Sequence, residues 1–105
     1  MEFIETTAFT KYAPDLLPGD EYQELQSFLI ICPDAGPVIK NGGGLRKLRW
    51  AGSGRGKRGG VRVIYYWITA EERIYLIYIY PKNVQENLTT KQLKVLRIIV
   101  ESECK

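Results

Sequence analysis

The residues with the clearest chemical potential in this sequence are basic and lie close together. Between Ala35 and Ala70 the chain has eight lysines and arginines and no aspartate or glutamate. The net charge of the chain is only +3 whereas this stretch carries +8, so the remaining residues together carry −5. A charge distribution this polarised favours a polyanionic partner, most often nucleic acid. The eight cations are Lys40, Arg46, Lys47, Arg49, Arg55, Lys57, Arg58 and Arg62.

The composition limits the chemistry that these cations could support. Histidine is absent, which removes the commonest general acid or base. Proton transfer would have to use Lys, Arg, Tyr, Asp or Glu. The two cysteines, Cys32 and Cys104, are far apart and form no CxxC pair, so the sequence predicts neither a metal site nor a cofactor.

The spacing of the cations predicts that several of them meet on a sheet. Lys47 and Arg49 alternate with apolar neighbours, which is typical of a strand with one cationic face. Arg62 is the lone cation in the β-branched and aromatic run 61–69. Opposed residues of an antiparallel pair lie about 5 Å apart, and a bound anion would remove the repulsion between cations placed so close. The alternative is an ordinary solvated basic surface.

A glycine-rich segment, 51–60, connects these two predicted strands and carries three of the cations. It is not a Walker loop, because no Gly-Lys-Ser/Thr follows a four-residue spacer. Two interpretations stay open: a cradle of backbone N–H groups and cations for phosphates, or a mobile hairpin connection.

The remaining elements predict an α+β domain. Residues 1–6 indicate a short strand, and a brief helical pattern follows that Pro14 should interrupt. Asp20 is expected to cap a second helix that runs up to Pro33. Three antiparallel strands then form a meander, and a C-terminal helix begins with Thr89 as its cap and Gln92 as the capping partner. We expect the helices to pack on one face of the sheet.

Length and hydropathy indicate a single domain covering residues 1–105, with one core. No apolar run approaches the roughly 20 residues that a membrane span needs. The first residues, Met1-Glu-Phe-Ile-Glu, lack the basic start and apolar stretch of a signal peptide. We therefore expect a cytoplasmic protein with no membrane partner.

Three segments together resemble a known family. These are Leu45-Arg-Lys-Leu-Arg-Trp, the stretch Gly56-Lys-Arg-Gly-Gly-Val-Arg-Val-Ile-Tyr-Tyr, and Ile79-Tyr-Pro-Lys-Asn. They are similar to the RelE/ParE superfamily of bacterial toxins, and most closely to its HigB-like branch. The resemblance extends over nearly the whole chain and implies a RelE-like fold.

The resemblance also implies an activity and partners. The protein would be the toxin of a type II toxin–antitoxin module, an endoribonuclease that enters the ribosomal A site, cleaves mRNA by attack of a 2′-hydroxyl on the adjacent phosphate, and so inhibits translation. A cognate antitoxin, HigA-like with a helix-turn-helix, would block it, and operator DNA would be bound only through that antitoxin. The alternatives are a ParE-like inhibitor of DNA gyrase on the same fold and a nucleic-acid-binding module without chemistry.

By the same resemblance, Arg62 and Lys82 are expected to bind the scissile phosphate. Tyr80 is expected to stack on a base or to position the phosphate, unless it is a strand-end aromatic packed on the core. The candidates for phosphate binding or proton transfer are Lys47, Arg49 and Lys57, and those for contact with RNA or the ribosome are Arg46, Arg55 and Arg58.

One departure from the family pattern affects the acid–base chemistry. Many RelE-type members place a tyrosine or histidine shortly after the last strand, whereas this chain has Asn83, Gln85, Glu86 and Asn87 there. The residue that would transfer the proton therefore stays open in the sequence.

Overall fold

The computed structural model of the protein describes residues 1–51 and 60–103. Seven helices and strands follow one another within these residues, with a short 3₁₀ turn, Thr69–Glu71, between the last two strands. This mixture confirms the expected α+β class, and of the one or two helices expected before the meander the structure shows two. In chain order the elements are β1 (Glu2–Glu5), α1 (Thr7–Leu16), α2 (Glu21–Ile31), β2 (Arg46–Trp50), β3 (Val61–Ile68), β4 (Arg73–Pro81) and α3 (Thr90–Glu103).

The four strands form one sheet in the order β1-β4-β3-β2. Strands β2, β3 and β4 are successive antiparallel neighbours, which confirms the predicted meander. β1 adds to the outer edge of β4 in parallel, with Phe3 opposite Ile74. The register of β3 and β4 shifts at one place, where Ile64 faces Tyr78 but Tyr65 faces Leu76, so Ile77 is an extra residue in β4.

The helices lie on both faces of the sheet, so the expectation that they share one face was wrong. Side chains of α1 and α2 pack in one core cluster and side chains of α3 in another. The physical reason is that β3 and β4 are apolar on both faces, and each face needs a cover. The first cluster includes Phe9, Leu25, Val63, Tyr65 and Leu76, and the second includes Leu45, Ile64, Ile77, Leu96 and Val100.

Two expectations about the first helices also need correction. Pro14 does not interrupt α1, because it lies in the last turn and the helix continues to Leu16. Asp20 precedes α2 but makes no side-chain capping bond. Instead Glu21 and Glu24 place carboxylates in the first turn, where the helix dipole favours negative charge.

The start of α3 follows the prediction. Gln92 N–H donates to Thr89 Oγ1 at 3.0 Å, and Thr89 N–H donates to Gln92 Oε1 at 2.9 Å. This reciprocal pair is a capping box, which fixes the first residue of the helix. The segment 82–89, which connects β4 to α3, therefore ends at the cap residue Thr89.

Within residues 1–51 and 60–103, the helices are all too short or too polar to cross a membrane.

Candidate functional site

The predicted meeting of cations across two strands is confirmed by the register of the sheet. Arg49 of β2 lies opposite Arg62 of β3, and Arg62 lies opposite Tyr80 of β4. Lys47 is two residues before Arg49 and so shares its face, while Leu48 between them is buried in the core beneath α1 and α2. Lys47, Arg49 and Arg62 therefore form a cation cluster on the α3 side of the sheet.

An anion from the same chain lies in the middle of this cation cluster. Glu86 accepts two hydrogen bonds from Arg62, from Nε to Oε2 and from Nη2 to Oε1, both at 3.0 Å. Its Oε2 is 3.8 Å from Arg49 Nη2 and 4.0 Å from Lys47 Nζ. The repulsion between the cations is therefore offset by a carboxylate of the protein itself.

Glu86 is the residue of this site that the sequence analysis missed. It is the single acidic residue in the segment 82–89, and that was the available signal. Hydrogen bonding by Arg62, followed by the charges of Arg62, Arg49 and Lys47, lowers the pKa of Glu86 below its usual range. The carboxylate is therefore ionised at neutral pH, as an ion pair requires.

The three cations differ in how firmly they are placed. The Arg62 side chain is 5% exposed, the Lys47 side chain 16% and the Arg49 side chain 71%. Burial fixes the guanidinium of Arg62, whereas Arg49 reaches into solvent. An incoming anion would meet Arg49 first and Arg62 last.

Tyr80 is buried beside Arg62, in line with the core-packing alternative. The residue is 3% exposed and its ring packs with the core beneath α3, so the ring offers no open face for a base in this structure. Its hydroxyl donates to the backbone carbonyl of Glu86 at 3.2 Å. Burial raises the pKa of Tyr80, so the phenol stays protonated at neutral pH and holds the Glu86 backbone in place.

Lys82 lies beside the cation cluster but outside it. Its backbone N–H donates to the carbonyl of Gly60 at 3.2 Å, just beyond the last pair of the β3–β4 ladder. The residue is exposed, and no hydrogen bond or ion pair of its side chain is found among the described residues. Its expected contact with the phosphate stays a prediction.

Arg46 lies on the opposite face of β2. It donates to the carbonyl of Gly36 at 2.8 Å and its guanidinium stands 5.7 Å from the ring centroid of Trp67. These contacts tie the connection before β2 to the sheet. The structure therefore places Arg46 away from the cation cluster, and its expected contact with RNA or the ribosome stays a prediction.

The glycine-rich segment falls largely outside the described residues. Arg55, Lys57 and Arg58 all belong to the part that the structure does not describe, so their roles stay predictions. Gly60, at the end of the segment, has a φ of +61°, and a Cβ there would come within 2.1 Å of the Trp50 carbonyl oxygen. Glycine is required where this segment joins β3.

An open cleft of about 340 Å³ adjoins the cation cluster. Lys47 and Asn87 form part of its wall, and Lys47 Nζ donates to Asn87 Oδ1. The rest of the wall is mostly apolar and consists of Pro37, Val38, Ile39, Lys40, Leu88 and Leu93. Lys47 thus belongs both to the cation cluster and to the wall of the apolar cleft.

This arrangement can bind and orient one oxyanion. A guanidinium offers two parallel N–H groups that match carboxylate and phosphate equally well, and two further cations stand within reach. Such a cluster also stabilises charge that develops on a phosphorane. Among the residues that the structure describes, no three His, Cys, Asp or Glu side chains are grouped so that they could hold a metal ion.

A comparison with protein families shows the family of the chain. The model of the family described as the RelE toxin of the RelE/RelB toxin–antitoxin system matches residues 36–104. The match covers more than half of the chain and includes β2, β3, β4 and α3, which carry or position the cation cluster. The chain therefore belongs to the RelE toxin family.

Proposed function

We propose that this protein is the toxin of a type II toxin–antitoxin module of the HigB-like branch and that it cleaves mRNA in the ribosomal A site. The observation that carries the proposal is the convergence of Lys47, Arg49 and Arg62 within 4.0 Å of one carboxylate. An RNA phosphate has the size and charge to take that position. The family match supports the toxin role and an antitoxin partner.

The cleavage needs no metal ion, because RNA supplies its own nucleophile. The 2′-oxygen attacks the adjacent phosphorus and gives up its proton, the bond from phosphorus to O5′ breaks, and O5′ takes up a proton. The products are a cyclic phosphate and a 5′-hydroxyl. Arg62 binds the scissile phosphate, and the surrounding cations offset the second negative charge of the phosphorane. Lys47, Arg49 and Lys57 are the candidates for moving the protons.

The cleft beside Lys47 supports RNA as the substrate over a simple phosphate. Its apolar wall lies next to the anion site, and a nucleotide likewise joins an apolar base to a charged phosphate. Bases of unpaired RNA are commonly recognised by packing against protein side chains. The ribosome, which presents single-stranded mRNA, would provide the substrate in the cytoplasm.

Replacing Arg62 by alanine tests the proposal. We expect mRNA cleavage in a translating extract to fall by about 10²- to 10³-fold, the usual loss when one group that stabilises an oxyanion is removed. Growth arrest on induction should disappear with it. The readout is the number of new mRNA 5′ ends, with thermal unfolding of each variant as a check on the fold.

Arg73→Ala is the matched control, because Arg73 also forms ion pairs, with Glu2 and Glu71, but at the far end of the sheet. It should cleave at the wild-type rate. Undiminished cleavage by a folded Arg62→Ala variant would contradict the proposal. Inhibition of DNA supercoiling by the purified protein, with mRNA intact, would favour the gyrase alternative.

A further inference from the structure

The carboxylate of Glu86 occupies a position that all three cations of the cluster reach. Its two oxygens accept from Nε and Nη2 of Arg62 in a two-bond, side-by-side arrangement. Arg49 and Lys47 approach the same Oε2 from β2. Because a guanidinium pairs with two phosphate oxygens in the same way as with a carboxylate, Glu86 stands where a phosphate would stand.

The Arg62 side chain is held in place, so its Nε and Nη2 groups stay where Glu86 meets them. Its side chain is 5% exposed, it belongs to the central strand pair β3–β4, and its Nη1 points back to the Val61 carbonyl at 3.4 Å. A phosphate that uses the Nε and Nη2 groups of Arg62 must therefore take the place of the Glu86 carboxylate. Both anions together in that position would repel each other strongly.

The side chain of Glu86 has room to leave although its backbone is held. The backbone carbonyl accepts from the buried Tyr80 hydroxyl at 3.2 Å. The next residue, Asn87, accepts from Lys47 through its side chain and from Gln85 through its carbonyl. The Glu86 side chain itself is 41% exposed, so a rotation about its own bonds would carry the carboxylate into solvent without moving the segment 82–89.

From this geometry we infer that the cation cluster is an oxyanion site which Glu86 fills in the free protein and which a phosphate ester enters by exchange for the Glu86 carboxylate. Arg62 passes from one anion to the other and is never left buried without a partner. The identification of the phosphate ester as RNA rests on the proposed function, whereas the exchange of anions itself does not. Glu86 thus weakens the binding of stray phosphates, and only a substrate with further contacts displaces it readily.

Glu86→Gln tests the exchange, because glutamine keeps the shape of the side chain and removes its charge. The probe is inorganic phosphate, titrated at low ionic strength and followed by calorimetry and by the NMR signal of the Arg62 Nε–H group. We expect phosphate to bind Glu86→Gln about tenfold more tightly than wild type, since a like charge within a few ångströms is removed. Glu86→Ala, which also removes the hydrogen-bonding head group, should show at least the same gain.

Glu101→Gln is the matched control, because it removes one exposed carboxylate of α3. It should change phosphate affinity by less than twofold, and Arg62→Lys combined with Glu86→Gln should lose the gain. Equal phosphate affinities for folded Glu86→Gln, Glu86→Ala and Glu101→Gln would overturn the exchange, even if the wild type cleaves mRNA. A tenfold gain would support the exchange even if the wild type left mRNA intact, so the two proposals can fail separately.

Discussion

At the scale of single residues, burial of the Arg62 guanidinium explains why a carboxylate lies beside it. A charged group taken out of water is costly unless a partner of opposite charge and hydrogen bonds replace the lost hydration. Glu86 provides both through two 3.0 Å bonds. Because the buried Arg62 needs an anionic partner, it would also serve, in the exchange that we infer, as a fixed binding group for an anion from outside the protein.

Tyr80→Phe is expected to lower stability rather than to abolish chemistry, because the hydroxyl contacts the Glu86 backbone and the ring stays in the core. The loss of one hydrogen bond should cost about 1 kcal/mol, which corresponds to a fall in Tm of about 4 °C for a chain of this size. Cleavage should stay within about threefold of the wild-type rate, since no step of the proposed mechanism uses the phenol.

Tyr12→Phe is the control for this change. Tyr12 is 42% exposed on α1, so replacing it by phenylalanine should leave Tm nearly unchanged. Thermal unfolding and cleavage of both variants give the comparison. A loss of cleavage by Tyr80→Phe as large as that expected for Arg62→Ala would show instead that the hydroxyl acts in the reaction.

At the scale of elements, local patterns predicted much of what the structure shows. The alternation of Lys47, Leu48 and Arg49 determines which face each side chain takes, because a strand has a period of two. The capping box of Thr89 and Gln92 needs only residues three apart. Such features depend on neighbours in sequence, and both were predicted correctly.

Features that depend on distant residues were not predictable in the same way. The position of α3 on the second face follows from packing across the sheet, although the apolar residues on both faces of 61–69 were a signal for two covers. The pairing of β1 with β4 joins residues about seventy positions apart, such as Phe3 and Ile74. Glu86 meets Arg62 only because the segment 82–89 turns back over the sheet, and sequence alone does not specify that path.

Thr89→Ala tests how strongly the capping box fixes α3. The change removes the oxygen that accepts from Gln92 N–H, and losing such a cap costs about 1 kcal/mol. We therefore expect the free energy of unfolding in urea to fall by that amount. Because Gln92 also accepts from Gln85 Nε2 at 2.8 Å, amide exchange in the segment 82–89 should become faster as well.

Thr89→Ser keeps the accepting oxygen and should unfold close to wild type. Thr90→Ala is the second control, since Thr90 is exposed at the first position of α3 and the capping pair is formed by Thr89 and Gln92. If Thr89→Ala and Thr90→Ala were equally stable, the hydrogen-bonded cap would contribute nothing measurable. The helix would then be held by its packing in the second core cluster, through Leu96 and Val100 and the partly buried Leu93 and Ile99.

At the scale of the whole molecule, charge is separated along the β3–β4 hairpin. The cation cluster lies where β3 begins and β4 ends, next to the glycine-rich segment. At the other end of the hairpin, Glu2 and Glu71 surround Arg73. The RNA of the proposed function would therefore be attracted to the end of the hairpin where Arg62 lies, and not to the opposite end.

The salt dependence of RNA binding measures how many cations share this attraction. For a short single-stranded RNA, the logarithm of the association constant should fall linearly with the logarithm of salt concentration, by about 0.7 for each phosphate contact. Arg62→Gln should reduce the slope by about 0.7, because the cation cluster converges on one phosphate.

Replacing Arg55, Lys57 and Arg58 together by glutamine should reduce this slope by about 2 if each of the three contacts a phosphate of its own. Lys11→Gln, an exposed cation of α1, should leave the slope unchanged. An unchanged slope in the triple variant would remove these three cations from the RNA-binding surface and leave the cation cluster as the site of attraction.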